Sequence, residues 1–329
     1  MRAISRFSSL LMPLALALSI SFPAAHANQE KPPSVVASII PVQLIASDLL
    51  DGIVEPEVLL PAGASPHQYS LKPSDARMLT NADVVIWIGP ELERFLVKPL
   101  SQTSALTIKL LTEEMIHSGE EGVDEHEHEH EHEHHHHHEE GHHEEDHHDE
   151  EGDGHDHGGV DPHIWLDPHH ALAIADAIHA ALVQHFPHLK ALLDQNLDRF
   201  TASLIQQDRA LMSAFAPLSD RGFLVFHDAY GRFIEHYNLM QLGSVTINPS
   251  RKPGAKHLGE LRDTVETSQA VCVFSEPQFS SAVVASIVAG TDAKVSEVDP
   301  LGQNVVLGAG AYQRFLADFA QPFYTCLAP

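Results

Sequence analysis

A segment in the middle of the chain combines histidine with carboxylate side chains. Fifteen histidines lie between Glu120 and His157, together with eighteen acidic residues and no lysine or arginine. Imidazole nitrogens and carboxylate oxygens bind borderline divalent metals, and imidazole suits zinc, copper and nickel better than magnesium or calcium. An expression tag would sit at a terminus, and a solvated acidic run would not need histidine. The segment therefore predicts auxiliary metal binding by His126, His128, His130, His132, His134, His135, His136, His137, His138, His142, His143, His147, His148, His155 and His157.

The same segment is predicted to be disordered. It has few apolar side chains, so it buries too little surface to offset the conformational entropy lost on ordering. We therefore interpret residues 118–159 as a disordered loop inserted into a globular protein.

Four short segments outside this loop also carry metal-ligand side chains. Each places one just past a predicted strand or at the start of a predicted helix: Gly63–His67, Asp161–Trp165, Phe226–Asp228 and Val298–Gly302. In open α/β sheets, ligands bind in the crevice outside the carboxyl ends of the strands. A single loop histidine is more often a surface or core residue, so the prediction depends on the joint pattern. It predicts one metal site between two lobes, with the candidate ligands His67, His163, His227 and Asp299.

Two carboxylates adjoin these candidates. Asp228 follows His227 directly, and Glu276 follows a predicted strand. Carboxylates commonly hold the second ring nitrogen of a ligand histidine, so both are candidates for orienting an imidazole. Capping of their own loops is the alternative.

Seven further histidines are interpreted as surface residues. An exposed polar helix face is the ordinary explanation for histidines on or near predicted helices, and it applies to His169, His170, His179, His185, His188, His236 and His257.

Strand-like runs that alternate with helix-like runs must position these side chains. Apolar runs without polar alternation predict strands before the loop over Val35–Ile40, Glu57–Leu60, Asp83–Gly89 and Leu106–Leu110, with a helix over Glu91–Leu100. Further strands are predicted after the loop over Phe223–Phe226, Leu242–Ile247, Ala270–Phe274 and Lys294–Val298. This alternation is typical of parallel sheets covered on both faces.

Two helices are predicted between the two sets of strands. Asp167 and Pro168 are a good N-cap and first-turn pair, and they open a helix that ends at His185. Residues His188–Phe215 lack proline and glycine and repeat apolar side chains at helical spacing. The predicted fold class is α/β, with two lobes, each a mainly parallel sheet covered by helices, joined by one long rigid helix. The predicted boundaries are 28–187 for the N-terminal lobe, 188–217 for the linking helix and 218–329 for the C-terminal lobe.

The first residues have the pattern of an export signal. Arg2 and Arg6 precede an apolar stretch from Leu10 to Ile20, which is too short to span a bilayer, and Ala25-His26-Ala27 is a small-x-small cleavage site. We expect residues 1–27 to be removed after Ala27 and the mature protein to be periplasmic. No other stretch approaches eighteen uninterrupted apolar residues, so no transmembrane span is expected.

The charge of the chain is concentrated in the acidic loop. The formal net charge is −27, and the eighteen acidic residues of the loop leave only −9 for the remainder. Nucleic acid is excluded as an expected partner, because no basic patch is present to neutralise phosphates.

The chain has two cysteines, Cys272 and Cys326. In an oxidising compartment, they predict one disulfide that joins the C-terminal tail to a strand of the second half. Two buried free thiols are the alternative.

Several longer motifs carry a resemblance to a known family. They are HQYSLKPSD from His67, DPHIWLDP from Asp161, FHDAYGRF from Phe226, SEPQF from Ser275 and DPLG from Asp299. On these motifs the chain resembles the periplasmic binding proteins that serve zinc and manganese ABC importers, and it is very similar to the zinc-uptake members. The acidic histidine loop and the cysteine pair also belong to that subgroup, and the likeness covers essentially the whole mature chain.

The resemblance implies a site, a fold and partners. The three ligand histidines of the family correspond to His67, His163 and His227. The implied fold is a two-lobed binding protein with a connecting helix. The implied partners are an inner-membrane ABC permease and its cytoplasmic ATPase, and we expect the binding protein itself to be a monomer.

The donor set favours zinc over manganese. Manganese prefers oxygen-rich sites, whereas three neutral imidazoles with one open or carboxylate position suit tetrahedral zinc. In the manganese branch of the family, a carboxylate typically stands at the position of His227. Some zinc-binding members carry a glutamate before the first ligand histidine, where this chain has Pro66. Water and Asp299 therefore remain the two candidates for the fourth ligand.

The expected function is high-affinity capture of periplasmic Zn²⁺ between two lobes and delivery to the permease, without catalysis. A zinc hydrolase or hydratase is the rival class, because three histidines and an open position also activate water. The sequence shows no clear general base at a motif spacing, which argues against it. A periplasmic zinc buffer without a transporter is the third interpretation.

Overall fold

The computed structural model describes residues 31–117, 160–246, 253–268, 270–279 and 281–329, and Pro33–Pro329 form one compact unit. The predicted leader, the whole histidine-rich segment 118–159 and the last residue of the strand predicted to end at Ile247 lie outside the described residues.

The first sheet contains four parallel strands in the order β2-β1-β3-β4. Their bounds are β1 (Val35–Ala37), β2 (Glu57–Val58), β3 (Val84–Trp87) and β4 (Leu106–Lys109). All residues of β1 and β3 are buried, as the unbroken apolar runs predict for strands covered on both faces.

Four helices accompany the first sheet: α1 (Ile40–Leu49), α2 (Pro73–Asn81), α3 (Val97–Leu100) and α4 (Glu113–His117). The first predicted strand ends earlier than expected, because Pro41 lies in the first turn of α1, where its missing N–H costs nothing. The helix predicted over Glu91–Leu100 is wrong in its first half. Buried Glu93 accepts hydrogen bonds from the backbone N–H groups of Ile88 and Gly89, which holds the chain in a turn. Only a 3₁₀ turn (Arg94–Leu96) and the short helix α3 follow.

Two helices then connect the sheets: α5 (Pro168–His185) and α6 (Lys190–Phe215). A 3₁₀ turn, Ile164–Leu166, precedes α5, and Asp167 caps it by accepting hydrogen bonds from the N–H groups of His169 and His170. Further 3₁₀ turns flank α6 at Pro187–Leu189 and Ala216–Leu218. The predicted long helix is therefore confirmed.

The second sheet repeats the first in plan, with four parallel strands in the order β6-β5-β7-β8. Its strands are β5 (Gly222–His227), β6 (Met240–Thr246), β7 (Cys272–Ser275) and β8 (Lys294–Glu297). The remaining helices are α7 (Gly231–His236), α8 (Ala255–Thr267), α9 (Ser281–Val288) and α10 (Ala311–Leu327). Two parallel sheets covered by helices and a long connecting helix confirm the predicted α/β fold class.

Buried contacts tie the two sheets together. One hydrophobic core includes Ile86 of β3 and Phe223 of β5. The indole Nε1 of Trp165 donates to the carbonyl of Pro300 at 2.8 Å. Asp48 on α1 accepts from the backbone N–H of Tyr312 at the start of α10. These contacts fix the relative position of the two sheets.

The predicted disulfide is present between Cys272 in β7 and Cys326 in α10. Within the described residues, no helix combines the length and apolar character that a membrane span requires.

Candidate metal centre

Three histidines from separate segments converge between the two sheets. His67 lies in the loop between β2 and α2, His163 immediately precedes the turn Ile164–Leu166, and His227 is the last residue of β5. Their ring centroids are 5.1 to 5.4 Å apart. One potential ligand atom from each ring lies within 4.8 Å of the others. Three imidazole nitrogens can therefore meet at one ion.

Burial keeps the rings of His67 and His227 neutral. His163 and His227 are only 5% and 4% exposed. Burial, with a smaller effect of His163, lowers the pKa of His67 to about 4. Burial likewise holds the pKa of His227 well below its ordinary value, with His163 and His67 adding to the effect. Because only neutral imidazole binds a metal, both rings are ready to bind at neutral pH.

Asp161 orients His163. Its Oδ1 atom lies 2.7 Å from Nδ1 of the imidazole and also accepts the backbone N–H of His163 at 3.0 Å. Burial alone would raise the pKa of Asp161, but the hydrogen bonds from His163 and the nearby Arg232 lower it. The sequence interpretation gave Asp161 no role, although the Asp-x-His spacing was the available signal.

Glu276 lies beside His227. It follows β7, the neighbour of β5, and its Oε1 atom is 3.7 Å from Nδ1 of His227. The hydroxyl of Tyr230 donates to the same oxygen at 2.6 Å. Burial, reinforced by Asp299, raises the pKa of Glu276 to about 7. The predicted orienting carboxylate is thus next to its histidine and partly protonated near neutral pH.

The other two candidate carboxylates do not join the cluster. The oxygens of Asp299 accept the backbone N–H groups of Leu301 and Gln303 at 3.0 and 2.8 Å, so this side chain caps its own loop. Asp228, the exposed residue that follows β5, accepts from Gln241 of β6 at 3.1 Å. In this structure Asp299 therefore caps its own loop, and Asp228 bonds to Gln241.

The walls around the cluster are largely apolar. Besides the three histidines and Glu276, the cleft is lined by Ser65, Pro66, Trp165, Ala229, Gln278, Phe279, Pro300 and Leu301. An apolar lining lowers the local dielectric constant and so strengthens electrostatic interactions with a bound cation. Three nitrogen donors with an open fourth direction suit tetrahedral Zn²⁺.

The seven histidines expected at the surface divide into two groups. His169, His185, His188 and His257 are exposed, as expected. The expectation is wrong for His170, His179 and His236, which are partly buried. The last two are held by carboxylates, with His179 Nε2 2.8 Å from Asp194 and His236 Nε2 2.7 Å from Asp208.

Comparison with solved structures gives the same architecture. A crystal structure of ZnuA has a TM-score of 0.69 at 25% identity, covering 90% of this chain and 99% of that one. A ZnuA deletion mutant with zinc bound has a TM-score of 0.67 at 25% identity, covering 90% and 98%. The periplasmic zinc-binding protein TroA of Treponema pallidum shares the fold, with a TM-score of 0.71 at 18% identity and coverage of 90% and 99%.

Sequence comparison identifies the family. The high-affinity zinc uptake system protein ZnuA of Yersinia pestis is 40% identical over 305 residues, covering 89% of this chain and 91% of that protein. The protein of the same name from Haemophilus ducreyi is 43% identical over 293 residues, covering 89% and 93%. The family described as zinc-uptake complex component A, periplasmic, matches residues 35–326. The chain therefore belongs to the ZnuA family of periplasmic zinc-uptake components.

Proposed function

We propose that this chain captures Zn²⁺ with His67, His163 and His227 and delivers it to an ABC permease driven by a cytoplasmic ATPase. The observation that carries the proposal is the convergence of three imidazoles, with ligand atoms within 4.8 Å of one another. Neutral imidazole donors favour zinc over the oxygen-preferring manganese. Relatives named for high-affinity zinc uptake, and the zinc-bound ZnuA structure, support the same cargo.

Water is the fourth ligand in this proposal. Asp299 does not join the group of ligand atoms offered by His67, His163 and His227, and its oxygens accept backbone N–H groups of its own loop. Glu276 orients His227 from the Nδ1 side of the ring. A zinc ion bound to this ring would favour the ionised form of Glu276.

The same proposal includes the domain boundaries, the leader and the histidine-rich segment. Residues 28–187 and 218–329 form the two lobes, and 188–217 link them. The leader is cleaved after Ala27, and the mature protein acts as a periplasmic monomer. The fifteen histidines between 120 and 157 hold additional zinc weakly, because clustered negative charge raises the local cation concentration within about a Debye length.

Binding without catalysis is the proposed chemistry. Three histidines and water also occur in zinc enzymes that activate the water, but a general base commonly assists the proton transfers of such reactions. The two carboxylates that contact the cluster are already engaged. Asp161 holds His163, and Glu276 accepts the hydroxyl of Tyr230.

Release is proposed to need only small rearrangements. The Trp165–Pro300 hydrogen bond and the cap of α10 by Asp48 join the sheets at buried positions. Wide hinge opening would break both, and α6 would resist it.

A zinc titration of the full chain against a competing chelator tests the ligand set. His67→Ala, His163→Ala and His227→Ala should each weaken the tightest site by more than the roughly 10- to 100-fold typical of losing an outer-shell partner. His185→Ala removes an exposed histidine and is the matched control. A variant of the three that kept wild-type affinity would remove its histidine from the site.

Growth in chelated medium distinguishes transport from buffering. A strain that lacks the protein should fail to grow only when zinc is scarce. The His163→Ala variant should not restore its growth. Equal growth of wild-type and deletion strains would contradict a transport role. Esterase or hydratase turnover by the zinc-loaded protein would favour the enzyme alternative.

A further inference from the structure

A second group of ligand-type side chains lies outside the cleft. Asp167, His169 and His236 each offer one ligand atom, and these atoms lie within 4.8 Å of one another. None of the three lines the cleft. They come from the start of α5 and the end of α7.

The carboxylate of this group is fixed in place. Asp167 caps α5, and its Oδ1 atom accepts the N–H of His169 at 2.6 Å and that of His170 at 3.4 Å. Its other oxygen lies 3.1 Å from Nδ1 of His170. The cap therefore holds a negative charge at this corner of the protein.

His236 presents its second ring nitrogen to that charge. Its Nε2 atom lies 2.7 Å from Oδ1 of Asp208, which also accepts the hydroxyl of Tyr237 at 3.0 Å. Because an ionised carboxylate only accepts hydrogen bonds, Nε2 carries a hydrogen. In the neutral ring, Nδ1 then has a free lone pair, and it lies 4.0 Å from Oδ1 of Asp167. A carboxylate that holds the far nitrogen of a ligand histidine is the usual support of a metal site.

His169 is the solvent-exposed residue of the group. Its ring packs edge-on against His236, with centroids 4.7 Å apart, and the residue is exposed. It can rotate toward a bound ion without disturbing the core. Two ligands of a tetrahedral zinc ion lie about 3.4 Å apart when each bond is about 2.1 Å, so the observed 4.0 Å requires only a small contraction.

We propose that Asp167, His169 and His236 form a second, solvent-accessible site for a zinc-like divalent cation, with Asp208 positioning His236. The proposal rests on the proposed function only for the choice of zinc as the probe. The competing arrangement is a doubly protonated His236 that bridges Asp167 and Asp208 as an ion pair.

Arg232 lies between this site and the residues that flank the histidine-rich segment. Arg232 contacts Nε2 of His170 at 3.4 Å and donates to the carbonyls of Met115 and Asp161 at 2.9 and 3.0 Å. These two residues flank the histidine-rich segment on either side. Contacts through His170 and Arg232 therefore connect Asp167 to Met115 and Asp161, and Asp161 also orients His163 in the cleft. The positive charge of Arg232 opposes a cation, so this site should be weaker than the cleft site.

Crystals of the full chain soaked in zinc chloride give a direct test. Anomalous maps on both sides of the zinc absorption edge should show one peak among His67, His163 and His227 and a second bounded by Asp167, His169 and His236. The second peak should vanish in His169→Ala and persist in His185→Ala; both residues are exposed. A map with the cleft peak but without the second overturns this proposal. A map with only the second peak counts against the proposed function instead.

Histidine-selective ¹⁵N NMR of the full chain tests the site in solution. Signals that are missing in His236→Gln identify the His236 ring. We expect an unprotonated Nδ1 that shifts when zinc is added beyond the amount that fills the cleft, and no such shift in His169→Ala. Two protonated ring nitrogens that zinc leaves unmoved would establish the ion pair and overturn the proposal.

Discussion

The Nδ1 atom of His163 lies 2.7 Å from the Oδ1 atom of Asp161, two residues earlier in the chain. Because the carboxylate only accepts, the imidazole hydrogen is on Nδ1, and Nε2 keeps its lone pair for a metal. One short segment thus supplies both a proposed ligand and the group that fixes its tautomer.

Removing this carboxylate should weaken zinc binding without removing a ligand. We expect Asp161→Ala to lower the affinity of the cleft site by about 10- to 100-fold, because the ring of His163 loses its orientation and basicity. Asp228→Ala is the matched control, since Asp228 adjoins His227 in sequence but bonds to Gln241. Chelator competition measures both variants. Equal affinities would show that Asp161 does not support the ligand.

Acid should empty the two classes of proposed zinc site at different pH values. An unperturbed histidine has a pKa near 6.5, so zinc held by the histidine-rich segment should be lost between about pH 7 and pH 5. Burial lowers the pKa of His67 to about 4, so protons compete with zinc in the cleft only at lower pH. Calorimetry of the full chain at pH 7 and pH 5 should show the weak sites disappear while the tightest site remains.

The apo protein provides a check on the same shift. Between about pH 6.5 and pH 4, an unfolded chain protonates His67 while the folded chain does not, so this residue's contribution to stability falls as the pH falls. His67→Gln should abolish that part of the pH dependence in urea unfolding.

In the calorimetry at pH 7 and pH 5, loss of the weakly and the tightly bound zinc together would contradict the separation of the two classes of site.

The convergence of the three histidines could be predicted from the sequence, whereas the contacts of the carboxylates could not. His67, His163 and His227 follow strands or precede helical turns, and parallel sheets bring such positions to one edge. A carboxylate there can orient a ring or cap a loop, and sequence position does not distinguish the two. Asp299 caps its own loop, whereas Asp161 turns to His163.

Predictions from local sequence failed where tertiary contacts determine the conformation. Asp167 and Pro168 predicted the start of α5 correctly, because capping depends on neighbouring backbone groups. The helix predicted from Glu91 did not form over its first half, because Glu93 is fully buried and bonds to backbone groups before it. His236 was expected on the surface, but it is partly buried and its Nε2 atom bonds to Asp208 from α6.

Glu93 should make stability depend on pH. Burial raises its pKa to about 7, with hydrogen bonds from Gly89, Ser38 and Ile88 opposing the shift. An unfolded glutamate ionises near 4.5, so between about pH 4.5 and pH 7 the folded state holds a proton that the unfolded state has lost. The contribution of Glu93 to stability is therefore fully present below this window and declines through it, by up to about 1.4 kcal/mol for each pH unit.

Urea unfolding of Glu93→Gln measures this contribution. The variant should be less stable than wild type at pH 5, because its amide cannot accept all three hydrogen bonds, and the difference should shrink toward pH 7. The exposed Glu235→Gln is the control and should keep a constant difference. A constant difference for Glu93→Gln would show that the buried carboxyl does not hold the proton.

The disulfide should contribute to stability and leave zinc affinity nearly unchanged. Cys272 and Cys326 are 54 residues apart in sequence, and closing such a loop in the unfolded chain stabilises the fold by about 4 kcal/mol in the chain-entropy model. Neither cysteine lines the cleft, so the folded double variant Cys272→Ala/Cys326→Ala should bind zinc within a few-fold of wild type. Its urea midpoint should fall, and reduced wild type should match it. Unchanged midpoints would show that the packing of Phe323 on Phe223 and Phe274 already holds α10 against β5 and β7 without the covalent link.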